Sequence, residues 1–243
     1  MTKLSASSIG TYEKCPKKYH YHYIEKPDIV QQDWSHLEFG KCAHRILELF
    51  HEDLLKNVRE PNEYSKVMRN SFKVGLKEFK MEILKDSLPE LKSILQIYLD
   101  KLYQNGLPQV VHNELNFEFY IDTHLVRGFI DRIDLVRPGE YRVVDYKTNK
   151  NPKYLTNFQL LLYALAIKEK FTDIEKISGA YVLLKHNCDL IEYDFTEKDY
   201  EDTLERIKLV GKSIDTSLEW EKKPSILCNW CDYQGICQGN WTS

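Results

Sequence analysis

Four cysteines, divided between the two ends of the chain, constrain its fold more than any other feature. Cys15 lies near the start, and a C-x2-C-x5-C segment near the end supplies Cys228, Cys231 and Cys237. C-x2-C spacing is common to zinc and iron–sulfur sites. A single metal centre that bound all four thiolates would close a loop of about 220 residues and contribute to stability. Three interpretations are open: a 4Fe-4S cluster, a zinc site with four cysteine ligands, or a chance group of core thiols, which is the least favoured.

Composition excludes several broad classes of protein. At 243 residues, 42% hydrophobic and 29% charged, the chain can form a globular core. A net charge of -3 excludes a uniformly basic nucleic-acid coat, although 34 Lys and Arg residues could still form a local basic groove. The polar start and the lack of a long apolar run predict a cytoplasmic protein without membrane association. A reducing compartment favours metal or cluster ligation over disulfides, and Cys42 and Cys188 are expected to be free, buried thiols.

Apolar spacing divides the chain into a helical first part and a second part that contains a sheet. Before Gly106 and Pro108, which should end the helical part, apolar side chains recur at helical intervals. After them the period changes to two, and a helix interrupts the strands. The predicted helices are 5–23 (as one or two short helices), 36–56, 65–83, 88–105, 157–170 and 196–217, and the predicted strands are 112–121, 125–136, 141–148, 178–186 and 190–195.

This order of elements predicts an α/β protein with a small mixed central sheet flanked by helices. We expect one domain over residues 1–243. Its parts would be a mostly helical N-terminal part (1–110), a sheet core (111–195) and a C-terminal part with a helix and the cysteine-rich loop (196–243). Ser5 or Ser7 should cap the first helix, and Pro16 should restart the turn after Cys15.

Acidic side chains occur on apolar faces of two neighbouring predicted strands. Residues two apart lie on one side of a strand, so Asp131 shares its face with Phe129, Ile133 and Leu135. By the same rule Asp145 shares its face with Val143 and Lys147. A carboxylate on an apolar face is costly unless it is paired or binds a metal. Two carboxylates and a lysine could hold Mg²⁺ or Mn²⁺ beside a scissile phosphate, where the metal would activate a water. The alternative is a structural Asp–Lys pair in the sheet.

Five further polar residues could contribute to such a centre. Gln159 and Tyr163 lie four apart on one face of a predicted helix, although a capped, half-buried amphipathic helix explains this pair better when it is considered alone. His44 is a candidate nitrogen ligand, with an ordinary helix histidine as the alternative. Glu114 and Glu118 share a face of the first strand and could enter the site or face solvent.

The motifs, taken together and in order, resemble one enzyme family. The segments that carry the resemblance are LSASSIGTYEKCPKKYHYHY, FGKCAHRILELFH, NELNFEFYIDTHLVRGFIDRIDLV, VVDYKTNK, NFQLLLYALAI and CNWCDYQGIC. They are similar to the iron–sulfur branch of the PD-(D/E)XK nucleases, the RecB-like domain found in AddB C-terminal domains, exonuclease V and CRISPR-adaptation exonucleases. The resemblance extends over nearly the whole chain and implies a restriction-endonuclease-like core.

The resemblance assigns roles to individual residues of this sequence. It implies a 4Fe-4S cluster that joins the N- and C-termini, with Cys15, Cys228, Cys231 and Cys237 as ligands. The implied ligands of Mg²⁺ or Mn²⁺ are His44, Asp131, Asp145 and the backbone carbonyl of Tyr146. The implied catalytic residues are Asp131, Asp145, Lys147, Gln159 and Tyr163. Glu114 is the best match to the family's preceding glutamate, whose role varies.

The implied function is Mg²⁺- or Mn²⁺-dependent hydrolysis of DNA, as an exonuclease on single strands or DNA ends. Arg127, Arg132, Lys150 and Lys153 are candidate contacts to the DNA backbone, with ordinary solvated charges as the alternative. No Walker A motif is present, so we expect either a stand-alone nuclease or the nuclease part of an assembly, with a helicase, CRISPR-adaptation or replication protein as the candidate partner. The first rival is a non-catalytic or partner-dependent DNA-binding subunit of a repair, CRISPR or replication complex. The second is a zinc-stapled enzyme that acts on RNA.

Overall fold

The computed structural model describes residues 2–29, 35–149 and 151–237, which fall into two compact units. Unit 1 comprises the described residues of Met1–Asp33, Glu118–Gly128 and Lys198–Ser243. Unit 2 comprises those of Trp34–Phe117 and Phe129–Glu197. None of the helices in the described residues combines the length and the apolar character needed to span a bilayer.

Helices dominate the first part of the chain, and strands follow. The helices are α1 (Ala6–Lys14), α2 (Pro16–Tyr19), α3 (Ser35–Lys56), α4 (Tyr64–Leu76), α5 (Met81–Leu84), α6 (Leu88–Asn105), α7 (Phe158–Lys170), α8 (Glu197–Asp215) and α9 (Gln234–Cys237). The strands are β1 (Lys3–Leu4), β2 (Val110–Ile121), β3 (His124–Arg137), β4 (Glu140–Lys147), β5 (Lys176–Leu183) and β6 (Asp189–Asp194). A π-helical segment occupies His20–Glu25, and 3-10 turns occur at Pro61–Glu63, Lys85–Ser87, Pro152–Tyr154 and Ile226–Trp230.

The sheet of unit 2 is mixed, as the sequence predicts. Its strand order is β3-β4-β5-β6, and β2 pairs with β3. β4 is antiparallel to β3 and parallel to β5, whereas β6 is antiparallel to β5. A parallel pair requires a crossover connection, and α7 supplies it between β4 and β5. The predicted α/β class, with a mixed sheet flanked by helices, is confirmed.

Helices cover both faces of this sheet. On one face α7 approaches β5 closely, since a Cβ added at Gly179 would lie 2.9 Å from the Leu160 Cβ atom. On the other face α3, α4 and α6 share a continuous apolar core with β4 and β5, to which Val144 and Val182 contribute. Gly75 allows the close contact between α4 and α3, because its added Cβ would lie 2.8 Å from the Ile46 side chain.

Unit 1 combines the first helices with the end of the chain. β1 pairs in parallel with the start of β3, with Lys3 opposite Leu125. Ser5 caps α1, since its hydroxyl accepts a hydrogen bond from the Ser8 N–H at 3.2 Å. Cys15 is the N-cap of α2, and Pro16 opens that helix, where a missing N–H costs nothing. Both capping predictions are therefore confirmed, with Ser5 as the cap.

Two predicted element boundaries are wrong. The helix predicted over 65–83 is two helices, because three-residue turns at Lys77, Glu78 and Phe79 replace the α-helical hydrogen bonds after α4. The strand predicted to reach residue 186 ends at Leu183, and in the turn that follows Asn187 has a positive φ of 52°. By contrast, α6 ends where Gly106 was expected to stop it, with a φ of 83° at that glycine.

Candidate active site

The site lies in unit 2, where β3 and β4 part. Their antiparallel pairing extends from the turn to Arg132 opposite Val144. Beyond that pair, the backbone N–H of Tyr146 donates to the Asp131 carboxylate at 2.8 Å. The separation of the strands therefore leaves room for carboxylate side chains between two backbones that would otherwise bond to each other.

A polar chain connects β4 with α7 inside this opening. Lys147 Nζ lies 2.6 Å from Asp145 Oδ2 and donates to Gln159 Oε1 at 2.7 Å. Gln159 Nε2 donates to Asp145 Oδ1 at 2.7 Å and contacts the Tyr163 hydroxyl at 2.6 Å. The i, i+4 spacing on α7 places Gln159 and Tyr163 on one side, as predicted. The lysine amine is therefore held in one orientation by a buried carboxylate and an amide.

Two additional side chains bring a ring nitrogen and a third carboxylate to Asp131. His44, from α3, has its Nδ1 atom 3.2 Å from Asp131 Oδ2. The potential ligand atoms of His44, Glu114 and Asp131 all lie within 4.8 Å of one another. Glu114 reaches this position with a φ of 49° inside β2, a left-handed conformation that a non-glycine residue rarely adopts in a strand. Such strain at a cluster of charged groups is typical of functional sites.

The protonation equilibria of this cluster reflect crowded negative charge. Burial, followed by the nearby Asp131 carboxylate, raises the pKa of Asp145 to about 6. Burial and the same carboxylate raise the pKa of Glu114 to about 7. Burial alone would lower the pKa of His44, but the charge and hydrogen bond of Asp131 raise it to about 9. A divalent cation would relieve this repulsion and take the place of the His44 proton.

The donor set fits a hard divalent cation. Carboxylate oxygens are the ligands that Mg²⁺ and Mn²⁺ prefer, and one imidazole beside them is compatible with Mn²⁺. Four acidic side chains line the same open cavity of 930 Å³: Glu114, Asp131 and Asp145, and also Glu48, which pairs with Arg45 at 2.7 Å. The arrangement can therefore hold a cation, position a lysine beside it and admit a polymeric substrate.

Most residues predicted for the site from sequence lie together in that cavity. They are His44, Asp131, Asp145, Tyr146, Lys147, Gln159 and Tyr163. The phenol ring of Tyr146 packs on the opposite face of the sheet. Glu114, left open between the site and solvent, lies in the site, whereas Glu118 is exposed.

One predicted DNA contact is wrong. Arg132 is 6% exposed and forms a bidentate ion pair with Asp134 at 2.8 and 2.9 Å, so it is unavailable to a phosphate. The strand period explains this, because Arg132 and Asp131 are adjacent and must lie on opposite faces. Arg127 and Lys153 are exposed, and Lys150 lies outside the described residues.

Sequence reasoning did not assign several residues of this cavity to the site, among them the basic Lys41, Arg45 and Lys185 and the apolar Phe129. The strand period had placed Phe129 on the same face of β3 as Asp131, but only as an apolar neighbour of that carboxylate. The three basic residues come from α3 and from the turn after β5, and only the tertiary fold brings them to Asp131.

The four cysteines predicted to bind one metal centre line a single cavity of 240 Å³ in unit 1. Cys15 Sγ accepts the Lys18 N–H, and Cys228 Sγ accepts the Ser225 N–H, each at 3.4 Å. Burial raises the pKa of the Cys237 thiol, and the other three cysteines raise it further. The four thiols therefore surround one cavity and influence one another electrostatically.

The spacing of the sulfurs bears on the choice of metal. A tetrahedral zinc ion with Zn–S bonds of ~2.3 Å requires sulfurs about 3.8 Å apart. Within the described residues, His44, Glu114 and Asp131 form the one group of three such ligands within 4.8 Å, so no three of the four sulfurs lie that close. An iron–sulfur cluster has a wider ligand shell, since each thiolate binds a different iron.

In this mixed sheet β3 and β4 separate and present D-x-K beside a second aspartate. These features define the class: an α/β protein with a carboxylate–lysine centre at the end of a strand. The chain belongs to the PD-(D/E)XK nuclease superfamily, whose family model matches residues 3–238. The match therefore covers both units, including the thiols and the carboxylates.

Individual relatives support this assignment. The chain is 28% identical over 198 residues to an ATP-dependent helicase/deoxyribonuclease subunit of Streptococcus pyogenes serotype M1, covering 74% of this chain and 18% of that protein. It is 33% identical over 137 residues to the Gene 69 protein of Mycobacterium phage D29, covering 55% of this chain and 49% of that protein. The chain thus spans about a fifth of the length of the streptococcal relatives it matches.

A solved structure supports the fold alone. A protein from Eubacterium rectale, described as a candidate exonuclease, superposes with a TM-score of 0.53 at 12% sequence identity. The superposition covers 99% of this chain and 91% of that chain.

Proposed function

We propose that this protein is a metal-dependent DNA nuclease that hydrolyses phosphodiester bonds. The observation that carries the proposal is the Lys147 amine, held 2.6 Å from Asp145 at the point where β3 and β4 part. A lysine fixed beside paired carboxylates can neutralise charge that develops on a phosphate in the transition state. A structural Asp–Lys pair would not need Glu114 in a strained conformation beside it.

The proposed metal ligands are His44, Asp131, Asp145 and the backbone carbonyl of Tyr146, with Glu114 as an added carboxylate. When bound, Mg²⁺ or Mn²⁺ would lower the pKa of a coordinated water and polarise the scissile phosphate. Asp131 accepts the Tyr146 N–H, which fixes its carboxylate relative to β4. His44 gives up a proton when it becomes a ligand, because only neutral imidazole coordinates.

The remaining catalytic roles fall to the β4–α7 chain of hydrogen bonds. Gln159 links Lys147, Asp145 and Tyr163 through contacts of 2.6 to 2.7 Å. It therefore orients the lysine toward the cavity and restrains the carboxylate. Tyr163, buried and donating to Asp145 Oδ1 at 3.3 Å, is proposed to support that carboxylate and to contact the substrate backbone.

The finer substrate proposal is exonuclease action on single-stranded DNA or DNA ends. The name of the streptococcal relatives contains deoxyribonuclease, and the structure of similar fold is described as a candidate exonuclease. A partner-dependent DNA-binding subunit is the second candidate, because those relatives are helicase/deoxyribonuclease subunits about five times as long as the match. The intact Asp131, Asp145 and Lys147 favour the catalytic role over a purely binding one.

We further propose that Cys15, Cys228, Cys231 and Cys237 hold a 4Fe-4S cluster that secures the ends of the chain within unit 1. The shared cavity supports one centre for all four thiols, and the resemblance of the chain's motifs to the iron–sulfur branch of the family favours a cluster over zinc. The backbone N–H bonds to Cys15 and Cys228 are of the kind that tune cluster potentials. A protein purified without oxygen should show a broad visible absorption band and contain iron and sulfide. A colourless preparation that contains zinc would refute the cluster.

The nuclease proposal is tested by digestion of end-labelled single-stranded DNA with Mg²⁺, Mn²⁺ or EDTA. Wild type should cleave only with metal, and Asp145→Ala should be inactive. Asp86→Ala, at an exposed position of the same unit, is the matched control and should retain activity. The product ladder reports the polarity, and RNA offered alongside tests the substrate. Absence of cleavage by cluster-containing wild type would favour the binding-subunit proposal.

A further inference from the structure

An exposed aromatic ring lies on the wall of the active-site cavity. Phe129 is 57% exposed and lines the cavity that contains Asp131. The two residues share one face of β3, where a two-residue step is about 6.6 Å. Leu37, 42% exposed, lines the same cavity from α3. An apolar surface therefore borders the proposed metal ligands.

Much of the basic character of this cavity is already compensated. Lys41 donates to Glu38 at 2.8 Å, and Lys185 donates to Glu90 at 3.1 Å. Arg45 contacts Glu48 at 2.7 Å and makes three hydrogen bonds to Glu78 of about 3 Å. These cations therefore have acidic partners that a phosphate would have to displace. Attraction to the DNA backbone is weaker here than the number of basic residues suggests.

A flat apolar ring beside a phosphate-cleaving centre matches one feature of a nucleotide, the face of its base. Base–aromatic stacking contributes to binding single strands without reading sequence. In a duplex, neighbouring base pairs cover both faces of each base, so a ring can reach a base face only at an end or in an unpaired strand. On the same face of β3 the next two residues, Asp131 and Ile133, are buried, so the exposed ring of Phe129 lies directly beside the buried part of the strand.

We propose that Phe129 is the stacking platform for an unpaired nucleobase adjacent to the scissile phosphate. This inference rests on the proposed nuclease function and deepens it, because it assigns to one side chain the preference for single strands or frayed ends. Phosphate contacts then position the strand, and the ring discriminates an unpaired base from a paired one.

The test is a cycle between the ring and the base. Wild type and Phe129→Ala are each given a normal single strand and a series of strands. Each strand of the series has one abasic nucleotide, at a different position near the cleaved end. Wild type should lose about tenfold in kcat/KM, chiefly through KM, at one abasic position. Phe129→Ala should lose a similar factor on the normal strand and little more on the abasic one, since the two changes remove the same contact.

Two variants separate stacking from general damage. Phe129→Trp should retain the affinity and the abasic discrimination, whereas Phe129→Leu, which keeps an apolar side chain without a flat π-face, should lose both. Val136→Ala, at an exposed apolar position of the same strand, is the matched control and should discriminate abasic DNA as wild type does. Thermal melting should be unchanged in all of them, because these side chains are exposed.

The outcomes distinguish this inference from the nuclease proposal. If wild type binds but does not cleave, the same cycle measured by fluorescence anisotropy with the same strands decides the stacking question alone. Cleavage with additive effects of Phe129→Ala and the abasic nucleotide would overturn the stacking role and leave the nuclease standing. If wild type neither binds nor cleaves these strands, the nuclease proposal and the stacking proposal are both overturned. The exposed ring would then contact a different ligand.

Discussion

Two polar clusters occupy opposite faces of the same pair of strands in unit 2, and they differ in charge balance. On one face lies the carboxylate cluster around Asp131 and Asp145. On the other face Arg132 forms its ion pair with Asp134 and donates to the hydroxyls of Tyr98 and Tyr146, each at 2.7 Å. Both clusters are built from adjacent residues of β3 and β4, so the difference arises from their surroundings and not from position in sequence.

The Arg132 cluster is balanced and fixed. One guanidinium meets one carboxylate in bidentate geometry, and three further groups complete it: Tyr98, Tyr146 and the His51 ring, whose Nε2 lies 2.6 Å from the Tyr98 hydroxyl. Such a network is rigid because the guanidinium, the carboxylate and both phenol hydroxyls are hydrogen-bonded to one another. It joins α3 and α6 to β4 directly behind the active site.

The carboxylate cluster is unbalanced. Asp131, Asp145 and Glu114 crowd together, and burial, followed by repulsion from Asp131, raises the pKa of Asp145 and of Glu114. The same strands therefore carry two kinds of polar cluster. The Arg132 cluster, in which the charges are paired, acts as a scaffold, and the carboxylate cluster, with its excess of negative charge, is the candidate ligand site. Substitutions on the two faces should therefore fail in different ways.

The largest effect is expected from breaking the scaffold. Arg132→Met should lower the free energy of unfolding by about 3 to 5 kcal/mol, because Asp134 is left buried and unpaired. Denaturant unfolding measures this. The double variant Arg132→Met with Asp134→Leu should recover much of the loss, since it removes both charges. A double variant as unstable as the single one would show that the unpaired carboxylate is not the cause.

The next largest effect concerns the face that carries the carboxylate cluster, and it is an effect on catalytic activity. Lys147→Ala should lower kcat by about 10² to 10³-fold, because one fixed positive group is lost from the transition state. Its melting temperature should fall less than that of Arg132→Met, because Asp145 keeps its hydrogen bonds from Gln159 and Tyr163. Steady-state cleavage and thermal melting together test this contrast. Near wild-type kcat in Lys147→Ala would remove the lysine from the mechanism.

A third, smaller effect concerns metal binding to the excess charge. Mn²⁺ at 100 times its Kd should stabilise the protein by about 2.7 kcal/mol. His44 (pKa about 9) and Glu114 (pKa about 7) must lose protons to become ligands, so protons compete with the metal and the stabilisation should grow from pH 6 to pH 9. Calorimetry with and without EDTA measures it. His44→Ala should show a reduced Mn²⁺ shift, and an equal shift would exclude His44 as a ligand.

The smallest effect is the pH dependence of the scaffold. Burial, followed by the charge of Arg132, lowers the pKa of His51 well below its usual value. The unfolded chain therefore binds more protons than the folded one below pH ~6.5, and stability should fall there by up to about 1.4 kcal/mol per pH unit. Above that pH this contribution is fully present.

The matched variant for this prediction is His51→Gln, which retains a hydrogen-bonding side chain without a titrating ring. Unfolding curves between pH 5 and pH 8 should show a shallower acid slope in the variant than in wild type. Equal slopes in the two proteins would mean that His51 is not the group that loses its proton on folding.

Much of the site could be predicted from sequence, because strand and helix periods are local. The period of two places Asp145 and Lys147 on one face, and the i, i+4 spacing of Gln159 and Tyr163 places them together on α7. The same period of two also predicts that Arg132 faces away from Asp131. The expectation that Arg132 contacts DNA rested on its charge and did not take its strand face into account. The end of β5 was missed because the buried apolar residues continue through Leu184, whereas the pairing with β4 ends at Leu183 opposite Lys147.

By itself, the sequence determined which residues can act together within one strand or one helix, including the D-x-K pair and the C-x2-C spacing. Only the tertiary structure decided which groups from different elements meet: His44 from α3 beside Asp131, and Glu114 turned inward by a φ of 49°. The physical reason is that local backbone geometry alone decides which residues of one strand or helix share a face. The contacts of His44 and Glu114 with Asp131 depend instead on where β3 and β4 separate, and on backbone strain that the rest of the fold must stabilise.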